Sequence, residues 1–181
     1  MTYSPPATGQ PDPMVLSSMT DDVSAVIAYT GGNGATSAWT ANLAVFVPVR
    51  LTQRHTYIKA FWVNGSAVAG NVDVGIYTLS GTTLTRVVAS TAEAQATINV
   101  LQVATTFTTT TIGPGVYYLA LSSTSTTSQF WRGGTQSITG NAIAGAFQVA
   151  TASPLPTTAT TAAAGTQFVV PVFGFSENAA I

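Results

Sequence analysis

The chain has 181 residues and no cysteine. That excludes a disulfide framework and any thiolate-bound zinc. Charge is nearly as scarce. Five Lys and Arg and six Asp and Glu make up 6% of the chain, against about 25% in an ordinary globular protein. Five basic side chains cannot neutralise a long run of phosphates, which sets aside a nucleic-acid binder. No apolar run approaches the roughly 18 residues of a membrane span, so membrane insertion is not expected. The longest, Leu43 to Val49, is broken by Pro48. Disorder driven by charge is excluded too, because 46% of the residues are hydrophobic and 9% aromatic.

What is present is Thr, Ser, Ala, Val and Gly, with Thr the commonest residue. A surface covered by hydroxyl groups at a net charge of -1 repels its own kind weakly. Part of it is therefore expected to be buried in an assembly, most simply a homo-oligomer, with a trimer favoured. The opening MTYSPPATGQPDPM has neither a basic n-region nor an apolar h-region, so no secretory signal is expected. A Lys-poor composition of extracellular character without an export signal points to release by lysis, as part of a virus particle assembled in the host cytoplasm.

Two regions are expected, residues 1–40 and 41–181. Pro5, Pro6, Pro11 and Pro13 make the first an extended arm, since Pro fixes φ and removes a donor. Tyr3 and these four prolines are the expected arm contacts with a neighbour. Residues 21–29 fit a short helix capped by Asp21 or Asp22, or the start of a strand. From about residue 41 the hydrophobic period is two. Val72, Val74 and Ile76 share one face, opposite Asp73, Gly75 and Tyr77. Tyr57, Lys59, Phe61 and Val63 are set against Ile58, Ala60 and Trp62. Tyr117, Leu119 and Leu121 alternate with Tyr118 and Ala120. Ser80-Gly81 and Gly113-Pro114-Gly115 are turns. Further strands are expected over 98–103, 105–111, 129–132, 143–149 and 167–175. Residues 151–165 read as a long low-complexity loop, mobile or held by a partner. About nine short strands with frequent turns predict an all-β fold. The expectation is an antiparallel β-sandwich, a jelly roll with an extended N-terminal arm.

Three stretches, AVFVPVRLTQRHTYIKAFWVNGSAVAGNVDVGIYTLSG, FTTTTIGPGVYYLALSS and SQFWRGG, resemble tailed-bacteriophage virion jelly-roll modules. The likeness falls on Phe46 to Pro48, Val72 to Tyr77, and the turn and strand Pro114 to Ala120. It covers roughly residues 41–175. It implies a role as a capsid decoration, head-fibre or tail-tip module, with major capsid or other virion proteins as partners. It transfers no binding residues.

Chemistry is thin. His55 is the one histidine, no G-x-S-x-G elbow occurs, and no catalytic residue is assigned. The carboxylates Asp12, Asp21, Asp22, Asp73, Glu93 and Glu177 form no pattern of paired acids or calcium ligands, so no metal or cofactor is expected. Asp73 reads as a cross-strand partner of Lys59 or Arg86. Gly31-Gly32-Asn33-Gly34 lacks the Lys-Ser/Thr of a phosphate loop. The residues suited to an interface or a glycan are aromatic: Phe130, Trp131 and Arg132 in succession, and Trp39. Alternation also assigns either Phe130 or Trp131 to the core. The reading is a structural virion protein that decorates or cements a capsid. The alternative is a tail-tip or fibre module that binds host carbohydrate.

Overall fold

The computed structural model describes residues 23–26, 35–132, 146–150, 152–161 and 170–181. Within them the chain is all-β. The strands are β1 (Val23–Val26), β2 (Ala35–Ala38), β3 (Leu43–Leu51), β4 (His55–Tyr57), β5 (Lys59–Val63), β6 (Asn71–Ser80), β7 (Thr83–Ala89) and β8 (Glu93–Ala94). There follow β9 (Leu101–Val103), β10 (Thr110–Ile112), β11 (Gly115–Ser123), β12 (Gln129–Arg132), β13 (Phe147–Val149), β14 (Thr158–Thr160) and β15 (Phe173–Ser176).

Two sheets carry the fold. One runs β1-β15-β5-β9 and the other β13-β3-β11-β6-β7-β14, with β8 also paired to β6. The order follows from one long antiparallel ribbon. β1 pairs β15, β3 pairs β11, β5 pairs β9 and β6 pairs β7. Rolling that ribbon on itself sets β15 beside β5 and β11 beside β6. That is the strand order of a jelly roll, which encloses its core between two sheets.

Alternation along each strand supplies that core. Val45, Val49, Trp62, Val72, Val74, Ile76, Leu119, Leu121, Phe173 and Phe175 belong to one buried cluster between the sheets. Their neighbours Ala44, Phe46, Tyr77 and Ala120 form a second cluster on the outer face of the larger sheet. That sheet is therefore apolar on both faces. At Ser80-Gly81, with Gly81 at φ +59°, β6 turns into β7 as expected. The register then slips between Ile76 and Tyr77, leaving Val87 as a bulged, exposed residue. The bulge lets Arg86 join Tyr77 on the outer face and Val88 pack inward.

Three expectations need correction. First, residues 1–40 are not all arm. Of the helix and strand alternatives for residues 21–29, Val23–Val26 takes the strand, paired in register with Phe173–Ser176, and Ala35–Ala38 pairs with β12. β1 is the edge strand of the smaller sandwich sheet, while β2 and β12 form a separate two-stranded ladder, and each gains its partner from a segment far away in sequence. Tyr3, Pro5, Pro6, Pro11 and Pro13 lie outside the described residues.

Second, the faces over 57–63 change parity at Ile58. Tyr57 shares the inner cluster with Ala60 and Trp62. β4 pairs β10, while β5 pairs β15 and β9, so the chain changes ladders between them. The Ile58 N–H donates to Ser176 O at 2.9 Å across that corner.

Third, part of the 151–165 loop is held by this chain itself. Ala152–Thr161 runs as a belt across the outer face of the larger sheet. Its contacts advance strand by strand. The Ala152 N–H donates to Asn42 O at 2.7 Å, beside β3. Ser122 Oγ of β11 lies 3.3 Å from Ser153 Oγ. The Leu155 N–H donates to Asp73 of β6 at 3.1 Å, and the Tyr77 hydroxyl donates to Pro156 O at 2.6 Å. Arg86 of β7 donates from Nη1 to Leu155 O at 2.6 Å, and β14 then pairs with β7. Ala152 and Leu155 are buried in the outer cluster. A Cβ at Gly75 would stand 3.0 Å from Leu155 Cδ1, so a glycine there lets the belt lie close.

Elsewhere the expected strands are shorter. Of 98–103 only Leu101–Val103 is strand, and of 105–111 only Thr110 onward. Residues 143–145 and 167–169 lie outside the described residues, while Phe147–Val149 and Phe173–Ser176 are strands.

Candidate binding surface

The four sequence candidates part company in the structure. Phe130 is fully buried and Trp39 is 5% exposed. Their rings meet edge to face, 5.1 Å between centroids at 72°, and Trp39 Nε1 donates to Leu43 O at 3.0 Å. Both side chains are therefore core, and their apolar area is spent inside the sandwich. Trp131, the next residue on β12, is half-buried. The Arg132 side chain lies outside what is described.

Trp131 does not stand alone. The Val172 N–H donates to Trp131 O at 2.8 Å, and the Val63 N–H donates to Val172 O at 3.0 Å. Val63 is in turn the register partner of Leu101 on β9. Four segments thus lie side by side. Phe130, Phe173 and Trp62, each adjacent to one of these residues, point into the core. Alternation accordingly turns Trp131, Val172 and Val63 outward. The result is an apolar stripe ending on Leu101, 47% exposed, with Val100 at 40% and Ile98 at 48% continuing it. β9 is an edge strand of its sheet, and residues 97–104 contain no charge and no Pro. Natural edges are usually blunted by those devices. Of the stripe the sequence singled out Trp131 alone; Val63, Val172 and Leu101 carried no signal, because an aliphatic residue in a strand reads the same whichever face it takes.

Beneath the stripe a buried amide network sets the positions of β5, β9 and β12. Asn64 Oδ1 accepts from Trp62 Nε1 at 2.7 Å and from Gln95 Nε2 at 2.9 Å. Asn64 Nδ2 donates to Thr97 O and to Gln102 Oε1. Gln95 also donates to Gln129 O and accepts from the Ala69 N–H and the Ser128 hydroxyl. Every donor and acceptor of these two amides is used. The network is a rigid support with no group left to bind a ligand. Scattered Asn and Gln residues carried no sequence signal for it.

The remaining polar groups have local roles. His55 opens β4. Its Nδ1 is 3.5 Å from Glu177 Oε2, and its ring stacks on Tyr57 at 5.5 Å. The Thr56 N–H donates to the same carboxylate. Asp73 pairs with neither Lys59 nor Arg86. Lys59 Nζ donates to the backbone oxygens of Ala179 and Ile181. Asp73 instead accepts the N–H groups of Ala92 and Leu155. Burial raises its carboxyl above the usual range, while those two hydrogen bonds and Arg86 act in the opposite direction. Among the described residues no group of three or more His, Asp and Glu is placed to hold a metal ion, and no helix is long and apolar enough to cross a membrane.

Comparison with protein-family models, with curated proteins and with solved structures finds no match to this chain.

Proposed function

We propose that this chain is a non-enzymatic structural protein of a tailed-phage particle, which decorates or cements the capsid. The observation that carries the reading is the stripe Trp131–Val172–Val63–Leu101. It is a charge-free apolar surface on a rigid support, built around a half-buried Trp of the kind that anchors protein interfaces. The charge-poor composition adds to it, since contacts of this kind resist salt better than ionic ones. Each copy contributes a small contact, and repetition over a shell converts modest contacts into stable attachment. Homo-oligomerisation, with a trimer first, belongs to the same reading, as does the virion as its location.

The test is quantitative labelling of purified particles, followed by rebinding of the chain to stripped shells. Absence from purified particles overturns the proposal. The partly exposed indole of Trp131 also suits a tail-tip or fibre module that stacks on a host glycan. Its neighbours in the stripe are aliphatic and offer no hydrogen bonds to sugar hydroxyls, which favours protein contact. A glycan array separates the two readings.

A further inference from the structure

β9 is the open edge of the smaller sheet, and its ladder to β5 fixes which of its backbone groups are free. The Asn64 N–H donates to Val100 O at 2.9 Å and the Ala104 N–H to Ala60 O at 2.8 Å, while Trp62 is the register partner of Gln102. Antiparallel bonds alternate along a strand, so Val100, Gln102 and Ala104 turn their backbone groups toward β5. Leu101 and Val103 turn theirs away, and among the described residues no strand or loop pairs with them. Asn99, at φ +55°, ends the strand on one side. The edge on offer is therefore short and centred on Gln102. Leu101 is 47% exposed at the end of the apolar stripe, and residues 97–104 carry no charge and no Pro. The nearest charge along the chain is Glu93, whose carboxylate accepts from the Thr105 hydroxyl and the Thr106 N–H.

We propose that a second copy of this chain pairs with β9 through its own β9, antiparallel about a two-fold axis at Gln102. In that register Leu101 of one copy lies opposite Val103 of the other, and the reverse. The free N–H and C=O groups of each edge are then met by the same groups of its copy. Three observations select a second copy over a foreign strand. The free groups are disposed symmetrically about one residue, as a self-complementary contact requires. The edge is uncharged, so two copies meet without repulsion, and Glu93 and its copy stand roughly 20 Å apart, well beyond the screening distance of about 8–10 Å. The charges and prolines that keep a sheet edge from its own kind are absent here. The joined sheet runs β1-β15-β5-β9 and then the same strands in reverse, with Leu101 and Val103 carrying the apolar stripe across the seam. The inference rests on the homo-oligomerisation in the proposed function and adds its edge and its symmetry. A two-fold contact gives even-numbered assemblies, so a trimer closed elsewhere on the chain pairs into a hexamer. One short strand buries little area, so the pairing depends on concentration.

Light scattering of the full chain over a concentration series is the first readout. The mass should double, from one chain to two or from a trimer to a hexamer. A monomer or a trimer at every concentration overturns the proposal, whereas the particle reading is decided separately by labelling of particles. In the unaltered chain, hydrogen exchange should slow at the Leu101 and Val103 amides as concentration rises and stay constant at Gln102. Exchange at Leu101 and Val103 that ignores concentration overturns the proposal. The register is read with cysteine, which the natural chain lacks. An equal mixture of Leu101→Cys and Val103→Cys should form disulfide-linked dimers on oxidation, because opposed residues of a bonded pair lie about 5.5 Å apart. Either variant alone sets its thiols two residues out of line and should link several-fold more slowly. Equal linking in the three samples overturns the two-fold register. Leu101→Lys should hold the mass at its unpaired value at concentrations where Trp131→Ala still doubles it. Pairing kept in Leu101→Lys, or lost from folded Trp131→Ala, overturns the assignment to this edge.

Discussion

The indole N–H of Trp62 donates to Oδ1 of Asn64 at 2.7 Å, with both residues fully buried. Two residues apart on one chain face, they bind the inner core to the amide network that carries β9 and β12. Asn64→Ala would leave Trp62 Nε1 and one N–H of Gln95 Nε2 without their acceptor and Thr97 O without that donor, and an unsatisfied buried group costs about 1–3 kcal/mol. The expected loss is about 3 kcal/mol or more, read as a lower midpoint in urea unfolding. A loss below about 1 kcal/mol would show that water replaces the amide at no great cost.

Phe130 and Trp131 should behave oppositely. Phe130→Ala empties a fully buried site and should cost about 3–5 kcal/mol. Trp131→Ala removes an outward ring and should leave the urea midpoint nearly unchanged while weakening attachment to particles. Light scattering after size exclusion, run beside the particle-binding assay, separates the two effects. Equal loss of stability in both variants would return Trp131 to the core.

Ala92 holds a left-handed backbone at φ +47° with its side chain exposed. An L-residue pays about 1–2 kcal/mol for that conformation, and glycine is free of it at an entropic cost of about 0.5–1 kcal/mol. Ala92→Gly should therefore raise stability slightly, by about 0.5 kcal/mol. Thermal unfolding measures it, and a lower midpoint would contradict the argument.

Tyr77 gives stability at alkaline pH a definite sign. Burial raises its phenol above the ordinary value of 10.0. The native state then holds its proton where the unfolded state has lost it, so stability declines as pH rises above about 10. In the folded protein the Tyr77 phenolate should be absent from an alkaline absorbance titration until the chain unfolds. Tyr77→Phe should flatten the alkaline part of the stability profile. An unchanged slope in that variant would assign the decline to other groups.

Much of the fold is readable without coordinates, for a local reason. Alternation with period two assigns Val72, Val74 and Ile76 to one side and Asp73, Gly75 and Tyr77 to the other. The turn residues Ser80-Gly81 mark where β6 ends. The same rule identified one of Phe130 and Trp131 as core, but could not choose, because parity needs a reference face. Hydrogen bonding of Asn64 beside Phe130 sets that reference.

The sequence by itself determined the β class, the places of several turns and the scarcity of charge, because these depend on neighbours a few residues apart. Tertiary structure decided the rest. Whether Val23–Val26 is helix or strand depends on β15, about 150 residues away. The parity break at Ile58 exists because two different ladders meet there. The belt is ordered by groups on β6 and β7, and a segment of Ala, Thr, Ser, Pro and Leu carries no local preference strong enough to announce it. The apolar stripe needs four segments laid edge to edge. Each of these is a long-range pairing, and no window of adjacent residues contains both partners.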